Sequence, residues 1–321
     1  MQAIEPIRIT AGNFAAYGRY YNLRGEDGAR LADGRTFVSR QRISGEPLKI
    51  GATAVAGGPF VSSKMERHTL SEELLICGDD EMVLTVADSD PEGAPRSPDV
   101  RAFIMRQGDA VVLGRGIWHD ANHGLHRDTT YFFLIPQRDF VASEVKWTEI
   151  VPKAVPVRWE TGERGEPEAA VPESGEPQAQ TRSGAPEADR LLNGADGTPF
   201  STYGRLVRVL EGPGLAGDTG WRSWLEEAPA LTEGCYLGVG FPEDDSRDGV
   251  VECGRDGARQ ILCACGAVKL TVMLRGRPES VYTVRLSRGD YALLEENVCY
   301  KVLREPGTPG YYYILSPKGL M

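Results

Sequence analysis

An internal repeat is the feature that most limits how this chain can fold. Phe14–Arg19 opens the first half with the letters FAAYGR, and Phe200–Arg205 opens the second half with FSTYGR. Further pairs follow in the same order: Gly108–Leu113 with Gly289–Leu294, and Tyr131–Ile135 with Tyr311–Leu315. Because similar segments occur in the same order in both halves, the two halves are predicted to share a topology. We therefore expect two copies of one fold.

Short apolar runs separated by Gly, Pro and Asp predict an all-β protein. The clearest are Met82–Ala87, Phe103–Met105, Ala110–Leu113, Ala267–Leu274 and Tyr282–Leu286. Long helical periodicity is scarce, and a helix is expected only near Trp221–Glu227. Many short strands with turn residues between them are typical of a sandwich or barrel.

A stretch between the halves is predicted to be a flexible linker. Residues 161–189 are rich in Glu, Pro, Gly, Ala and Ser and contain no aromatic residue. Such a segment cannot bury enough apolar surface to offset its loss of conformational entropy on ordering. We predict a first domain over 1–150, a linker over 151–196 and a second domain over 197–321.

The charge balance excludes some partners. The 321 residues carry a formal net charge of -10, without the clusters of Lys and Arg that bind a nucleic-acid backbone. No apolar run approaches the roughly 18 residues of a membrane span. The first residues lack a basic start and an apolar stretch, so we expect a cytoplasmic protein. In that compartment the six cysteines are expected to be free thiols.

Candidate site residues are confined to the first half. All four histidines lie there: His68, His119, His123 and His126. Because side chains two apart on a strand share a face, Glu66 and His68 are expected to project together. Glu73 follows after a gap that lets the chain return a carboxylate to the same point. The adjacent Glu72 is the alternative residue for this carboxylate position.

A glycine-containing turn precedes His119. Gly108 is followed by an apolar run, and the turn Gly114-Arg115-Gly116 then leads to Trp118 and His119. Glycine tolerates positive φ, which a tight turn between strands requires. This arrangement predicts that His119 lies on the strand after the turn.

These motifs resemble those of the cupin superfamily. Gly108, Gly114, Gly116 and His119 follow the spacing of the second cupin motif, with His123 where asparagine is usual and Gly114 where proline is usual. The first cluster resembles the first cupin motif, with Glu66 in place of its first histidine. The resemblance implies two cupin-like (jelly-roll, or double-stranded β-helix) barrels. It also implies a divalent metal, Zn, Mn, Fe or Ni, whose ligands would be Glu66, His68, Glu73 and His119.

A closer resemblance is to the ureidoglycolate lyase family, over roughly residues 10 to 137. It is carried by the opening phrase Phe14–Gly18, by Glu66-Arg67-His68 with Leu70, and by Arg115-Gly116 with Trp118-His119. The sequence departs from the family at Thr69, where proline is usual, and at Glu73, where glutamine is usual. The resemblance implies a metal-assisted carbon–nitrogen lyase of purine catabolism that splits ureidoglycolate into glyoxylate and urea.

Roles are predicted for four further residues around this site. Either Glu72 or His123 would carry the proton, a role that requires hydrogen-bond reach to the substrate. Arg115, in the turn, would face an anionic small-molecule substrate. Trp118 would border the substrate, although a buried core position explains a large ring equally well.

The second half has lost most of the corresponding ligands. Aligning the repeats sets Glu252 against Glu66, Gly254 against His68, Arg259 against Glu73 and Tyr300 against His119. We therefore expect a degenerate second barrel that serves stability or shape, with a homodimer possible. Alternatives for the whole chain are a metal-dependent sugar or keto-acid isomerase and a non-catalytic small-molecule-binding bicupin, because fold alone does not select a reaction.

Overall fold

The structure of the protein is a computed structural model. It describes residues 3–31, 35–88, 93–136, 147–160, 200–211, 215–216, 222–225, 235–242, 252–253 and 259–317. The strands of the first half are β1 (Ile7–Arg8), β2 (Gly18–Asn22), β3 (Gly28–Arg30), β4 (Thr36–Ser39), β5 (Leu48–Val55), β6 (Phe60–Ser62), β7 (Lys64–Met65), β8 (Glu73–Ile76), β9 (Met82–Ala87), β10 (Arg101–Met105), β11 (Asp109–Leu113), β12 (Trp118–His119), β13 (His123–Gly124), β14 (Thr129–Pro136), β15 (Thr148–Glu149) and β16 (Val155–Val157).

The strands of the second half are β17 (Gly204–Arg208), β18 (Leu215–Ala216), β19 (Arg222–Leu225), β20 (Tyr236–Gly240), β21 (Glu252–Cys253), β22 (Arg259–Leu274), β23 (Tyr282–Ser287), β24 (Asp290–Leu294), β25 (Val298–Arg304) and β26 (Gly310–Ser316). Helical turns are short: α1 (Ala11–Phe14) and the 3-10 turns Ser97–Asp99, Phe200–Thr202, Val209–Glu211 and Pro278–Ser280. In the described part of the chain no helix is long and apolar enough to cross a membrane. The all-β, jelly-roll-like class predicted from the sequence is confirmed, with open sheets in place of closed barrels.

The internal repeat reappears in the strand registers. β2 pairs antiparallel with β11 so that Gly18 lies opposite Leu113. β17 pairs with β24 in the same way, and Gly204 lies opposite Leu294. Both glycines have positive φ, and a Cβ on either would come within 2.0 Å or less of a backbone carbonyl oxygen. The glycine of each phrase is therefore required by a close backbone approach that occurs once in each half.

The two halves exchange strands. A seven-stranded sheet runs β18-β19-β5-β14-β8-β11-β2, so two strands of the second half extend a sheet of the first. A ten-stranded sheet includes the path β17-β24-β22-β26-β20-β4-β3, so β3 and β4 of the first half extend a sheet of the second. Each half thus completes a sheet of the other.

The helix expected near Trp221–Glu227 is not formed, and that prediction was wrong. Arg222–Leu225 is strand β19, which pairs antiparallel with β5 from Arg222 opposite Ala54 to Leu225 opposite Gly51. The other side of β5 is paired with β14. The open edge of β5 offers backbone donors and acceptors to a strand but not to a helix, so sheet pairing decides the local structure.

The linker predicted over 151–196 lies mostly outside the described residues, which end at 160 and resume at 200. The predicted domain division at 1–150 and 197–321 stays a prediction. The strand exchange adds that neither range contains all the strands of its own sheets.

Alternation along β5 separates two cores. Leu48, Ile50 and Ala52 pack with Leu237 and other second-half residues in a core shared by both halves. Val55 lies on the opposite face, in a core between the seven-stranded sheet and the five-stranded sheet of β1, β10, β9, β12 and β13. We call the sheet surfaces that face this second core the inner face of the first half. A third core fills the second half.

The shared core and exchanged strands predict that both halves unfold together. Leu237 is fully buried in the shared core, and Leu237→Ala is expected to cost about 3 kcal/mol. The whole chain should still give one calorimetric transition, because loss of either half removes strands from the other. Two separate transitions, with only one moved by the substitution, would contradict this expectation.

The cysteines follow the free-thiol prediction with one exception. Cys77, Cys235, Cys263 and Cys265 are free and buried. Cys299 is disulfide-bonded, so the prediction was wrong for this residue. The pairing of β21 with β25 sets Cys253 opposite Cys299, a proximity that sequence spacing does not reveal.

Candidate metal centre

Cross-strand pairing brings the first two site residues together. The backbone N–H of Glu66 donates to the carbonyl of His119, and the N–H of His119 donates to the carbonyl of Glu66, both at 2.9 Å. Directly paired residues project their side chains from the same side of a sheet. His119 also lies opposite Val86, which belongs to the inner-face core. Glu66 and His119 therefore both project toward the inner face.

Two neighbouring segments bring the other predicted ligands. The carbonyl of His68 accepts a 2.7 Å hydrogen bond from the N–H of Gly116, which has positive φ. Glu73 begins β8, opposite Leu113 of β11. The turn that sequence analysis placed before His119 thus also holds the backbone of His68.

The four side chains converge. His119 Nε2 lies 3.0 Å from Glu73 Oε2 and 3.7 Å from Glu66 Oε1, and His68 Nε2 lies 3.7 Å from Glu73 Oε2. One ligand atom each from Glu66, His68 and His119 lies within 4.8 Å of the others, so these three residues could hold a metal ion. Three of the four side chains are at least nine-tenths buried, and Glu66 is 19% exposed. The structure brings together all four residues predicted as ligands.

The hydrogen bonding of the cluster fits a cation. His119 Nδ1 lies 3.2 Å from the carbonyl oxygen of Ile117, a contact that places the ring hydrogen on Nδ1 and leaves a lone pair on Nε2. His119 Nε2 and Glu73 Oε2 are both buried and face each other at 3.0 Å. With the ring hydrogen on Nδ1, these are two lone-pair atoms, and a shared cation would satisfy both.

Burial and mutual charge shift the pKa values of these groups. Burial raises the pKa of Glu66 to about 7, with the Glu73 carboxylate adding to the shift and His119 opposing it. Burial lowers the pKa of His119, but the carboxylates of Glu73 and Glu66 outweigh it and raise the pKa to about 9. For Glu73 burial is outweighed by His119 and His68, which lower its pKa. Without a cation, a proton on His119 thus neutralises part of the negative charge.

Glu72 lies away from these contacts. Its carboxylate accepts two hydrogen bonds from the Arg19 guanidinium, at 2.6 and 2.8 Å, and is 38% exposed. This pairing lowers the pKa of Glu72. The neighbouring Glu73 points inward to His119, so the structure does not bring both acidic side chains to the cluster.

His123 lies on the other face of its sheet. It pairs with Val83, which packs with outer residues such as Phe60, whereas His119 pairs with Val86 of the inner core. The imidazole stacks on Phe60 with ring centroids 3.5 Å apart. Burial lowers the pKa of His123 to about 4. The contacts described here, of His123 with Phe60 and of Glu72 with Arg19, do not involve the cluster. A role as proton carrier stays a prediction for both residues.

The two residues predicted to bind substrate also lie outside the cluster. Arg115 is 58% exposed and lies 3.7 Å from Glu46. Trp118 is 3% exposed and packs in a small outer core with Met65. The Arg67 guanidinium lies 4.3 Å from its ring centroid. The packing matches the core reading of Trp118, and substrate binding by Arg115 or Trp118 stays a prediction.

Two polar side chains near the ligands, Tyr131 and Asn122, were not predicted from the sequence. Tyr131 is buried on β14, opposite Thr53 of β5, and the charges of Glu73 and Glu66 act on its hydroxyl. Asn122 is 1% exposed and follows His119 in the chain. Tyr131 stands in an apolar run and Asn122 in a short turn, so neither position has a spacing that marks it as a site residue.

The part of the chain that contains the four clustered residues matches a known protein family. Residues 1–153 match the family model described as ureidoglycolate lyase. The first half resembles the ureidoglycolate lyase family. All four predicted ligands of the centre lie inside the matched range, and the resemblance stated from the sequence is confirmed. No curated protein matches the chain.

Solved structures similar to the chain include two of oxalate decarboxylase. One, titled as the enzyme from Bacillus subtilis at pH 4.6, is 11% identical, with a TM-score of 0.37 over 93% of this chain and 76% of that one. Another, whose title concerns the Mn(II) centres of the Bacillus subtilis enzyme, is 10% identical, with a TM-score of 0.36 over 93% and 77%.

Proposed function

We propose that the first half is a metal-dependent carbon–nitrogen lyase that splits ureidoglycolate into glyoxylate and urea. The observation that carries the proposal is the convergence of Glu66, His68, Glu73 and His119 on the inner face, within the residues that match ureidoglycolate lyase. These four residues would hold the metal. A bound divalent cation would supply Lewis acidity that lowers the pKa of a substrate hydroxyl.

The reaction requires little covalent chemistry from the protein. The substrate hydroxyl loses its proton, its oxygen forms the carbonyl of glyoxylate, the C–N bond breaks, and the nitrogen leaves as urea after gaining a proton. Proton transfer therefore balances within the reaction.

The surroundings of the cluster favour such a reaction. Ile117 orients His119 through its carbonyl, and the backbone hydrogen bonds between Glu66 and His119 fix the distance between their strands. The burial of His68, Glu73 and His119 excludes most water, which strengthens electrostatic interactions with a bound anion. A small carboxylic acid suits this site better than a macromolecule. A cytoplasmic location and a homodimer stay predictions.

The test is release of glyoxylate from ureidoglycolate by the full chain, assayed after loading with Zn, Mn, Fe or Ni in separate samples. Turnover is expected with at least one metal, and Glu73→Gln is expected to retain part of it, because the amide keeps one oxygen donor but loses the charge. Glu81→Gln serves as a control, since Glu81 pairs with Arg106 at 3.0 Å and not with the cluster. No turnover with any of these metals would contradict the proposal.

A further inference from the structure

The segment between β12 and β13 has one residue more than the part of β9 that it faces. His119 lies opposite Val86 of β9, and His123 lies opposite Val83. Three residues, 120–122, therefore oppose the two β9 residues 84 and 85. One extra residue on one strand is a β-bulge, which changes the face to which the following side chains point and often occurs next to a functional site.

The directions of its neighbours indicate that the Asn122 side chain lies on the inner face. His123, its neighbour, points outward to Phe60, and adjacent residues of a strand point to opposite faces. Ala121 also packs in the inner core. The backbone N–H of Asn122 bonds to the hydroxyl of Tyr131, on which the charges of Glu73 and Glu66 act. Asn122 thus borders the same inner space as the metal-binding cluster.

The side chain of Asn122 has an unused acceptor in this space. It is 1% exposed, and its Oδ1 atom is buried without a hydrogen bond. A buried polar atom left unsatisfied costs about 1–3 kcal/mol, so native proteins seldom retain one without a use. A carbonyl oxygen accepts hydrogen bonds only, so the matching group on a ligand is a donor.

We infer that Asn122 Oδ1 accepts a hydrogen bond from an N–H group of the substrate, which selects small carboxylic acids that carry an amide or ureido group. This inference rests on the proposed function, because it assigns a contact to the ureido group of that substrate. Tyr131 acts through Asn122 as a positioning residue, because it binds the backbone and leaves the side-chain amide to the ligand.

Two unreactive probes separate this contact from binding of the carboxylate. Ureidoacetate has a carboxylate and a ureido group, and glycolate has a carboxylate and a hydroxyl but no N–H. Calorimetric titration of the metal-loaded full chain is expected to show binding of both probes. Asn122→Leu should weaken ureidoacetate binding at least about tenfold and leave glycolate binding unchanged.

Thr85→Val is the matched control. Thr85 Oγ1 is also buried without a hydrogen bond, but Thr85 pairs with Ala102 of the outer core, on the opposite face of the same sheet. Removing this polar atom should leave the binding of both probes unchanged. An equal loss of ureidoacetate binding in Thr85→Val would overturn the inference.

Thermal unfolding distinguishes a ligand contact from a structural role. Leucine has the same number and branching of side-chain heavy atoms as asparagine and removes an unsatisfied acceptor, so the Tm of Asn122→Leu should equal or exceed that of the unmodified protein. Asn122→Ala provides a second variant if leucine does not fit, with the same selective loss of ureidoacetate binding expected.

Besides the Thr85→Val result, three results would overturn the inference: equal weakening of both probes by Asn122→Leu and Asn122→Ala, a drop in Tm without a change in probe selectivity, or no binding of ureidoacetate by the unmodified protein. Failure of the proposed function is a different result. In that case the probe selectivity would be observed, but ureidoglycolate would release no glyoxylate.

Discussion

His119→Ala is expected to remove metal binding from the purified protein. Its Nε2 atom is the nitrogen closest to both carboxylates of the cluster, and its ring is held in place by the Ile117 carbonyl. Changes to the outer partners of metal ligands already cost about 10–100-fold in affinity, so loss of a ligand should cost roughly 100-fold or more. The measurement is metal content after dialysis, by elemental analysis, together with a titration of the apo protein.

Two variants make this result specific. His126→Ala removes an imidazole that is 55% exposed and should leave metal content unchanged. His119→Asn keeps a polar side chain beside Glu73 and provides a check on folding, since alanine leaves a buried carboxylate without its partner. His68→Ala should repeat the loss. If His68→Ala and His119→Ala both retain the metal content of the unmodified protein, the metal centre is not formed by these residues.

Metal affinity is expected to rise steeply with pH. A cation binds the unprotonated forms of His119 and Glu66, whose pKa values are about 9 and about 7. Between pH 7 and pH 9 binding should release one proton, so the association constant should increase about tenfold per pH unit. Below pH 7 a second proton is released from Glu66, and the slope should approach about a hundredfold per unit. From pH 6 to pH 9 the expected change is roughly three to four powers of ten.

The sign of this dependence follows from the direction of both shifts. Each pKa is raised above its ordinary value, so each proton is held more tightly in the apo protein and competes more strongly with the cation as pH falls. Glu66→Gln should remove the steeper segment below pH 7 and keep the slope near pH 8. Affinities that stay flat from pH 6 to pH 9 in titrations of the apo protein would contradict the assignment of His119 as a ligand.

Much of the fold was predictable because it depends on local periodicity. The short β runs and the repeated phrases gave the all-β class and the equivalence of the two halves. The repeats align Glu252 with Glu66 and Tyr300 with His119, and Glu252 is paired with Tyr300 just as Glu66 is paired with His119. The exchange of strands was not predictable, because Arg222–Leu225 gains its structure from the edge of β5, a partner far away in sequence.

The candidate ligands were predictable because each belongs to a motif with fixed spacing. The remaining site residues were not, because their direction depends on tertiary structure. Spacing alone pointed to His123, but this residue lies opposite Val83 on the outer face, where its ring stacks on Phe60. Likewise, Glu72 and Glu73 are equivalent in sequence, and only the position of Arg19 separates the paired surface residue from the buried one.

The reciprocal exchange of β3 and β4 with β18 and β19 has a consequence for how the protein behaves on dilution. Two subunits that swapped such segments would come apart at low concentration and lose their completed sheets. Here one polypeptide carries both partners, so their ratio is fixed at synthesis and their association cannot be diluted away. The second half could then lose the histidines of its own site while the first half kept all of its ligands. We therefore expect one cation per polypeptide at the cluster of Glu66, His68, Glu73 and His119, whatever the protein concentration.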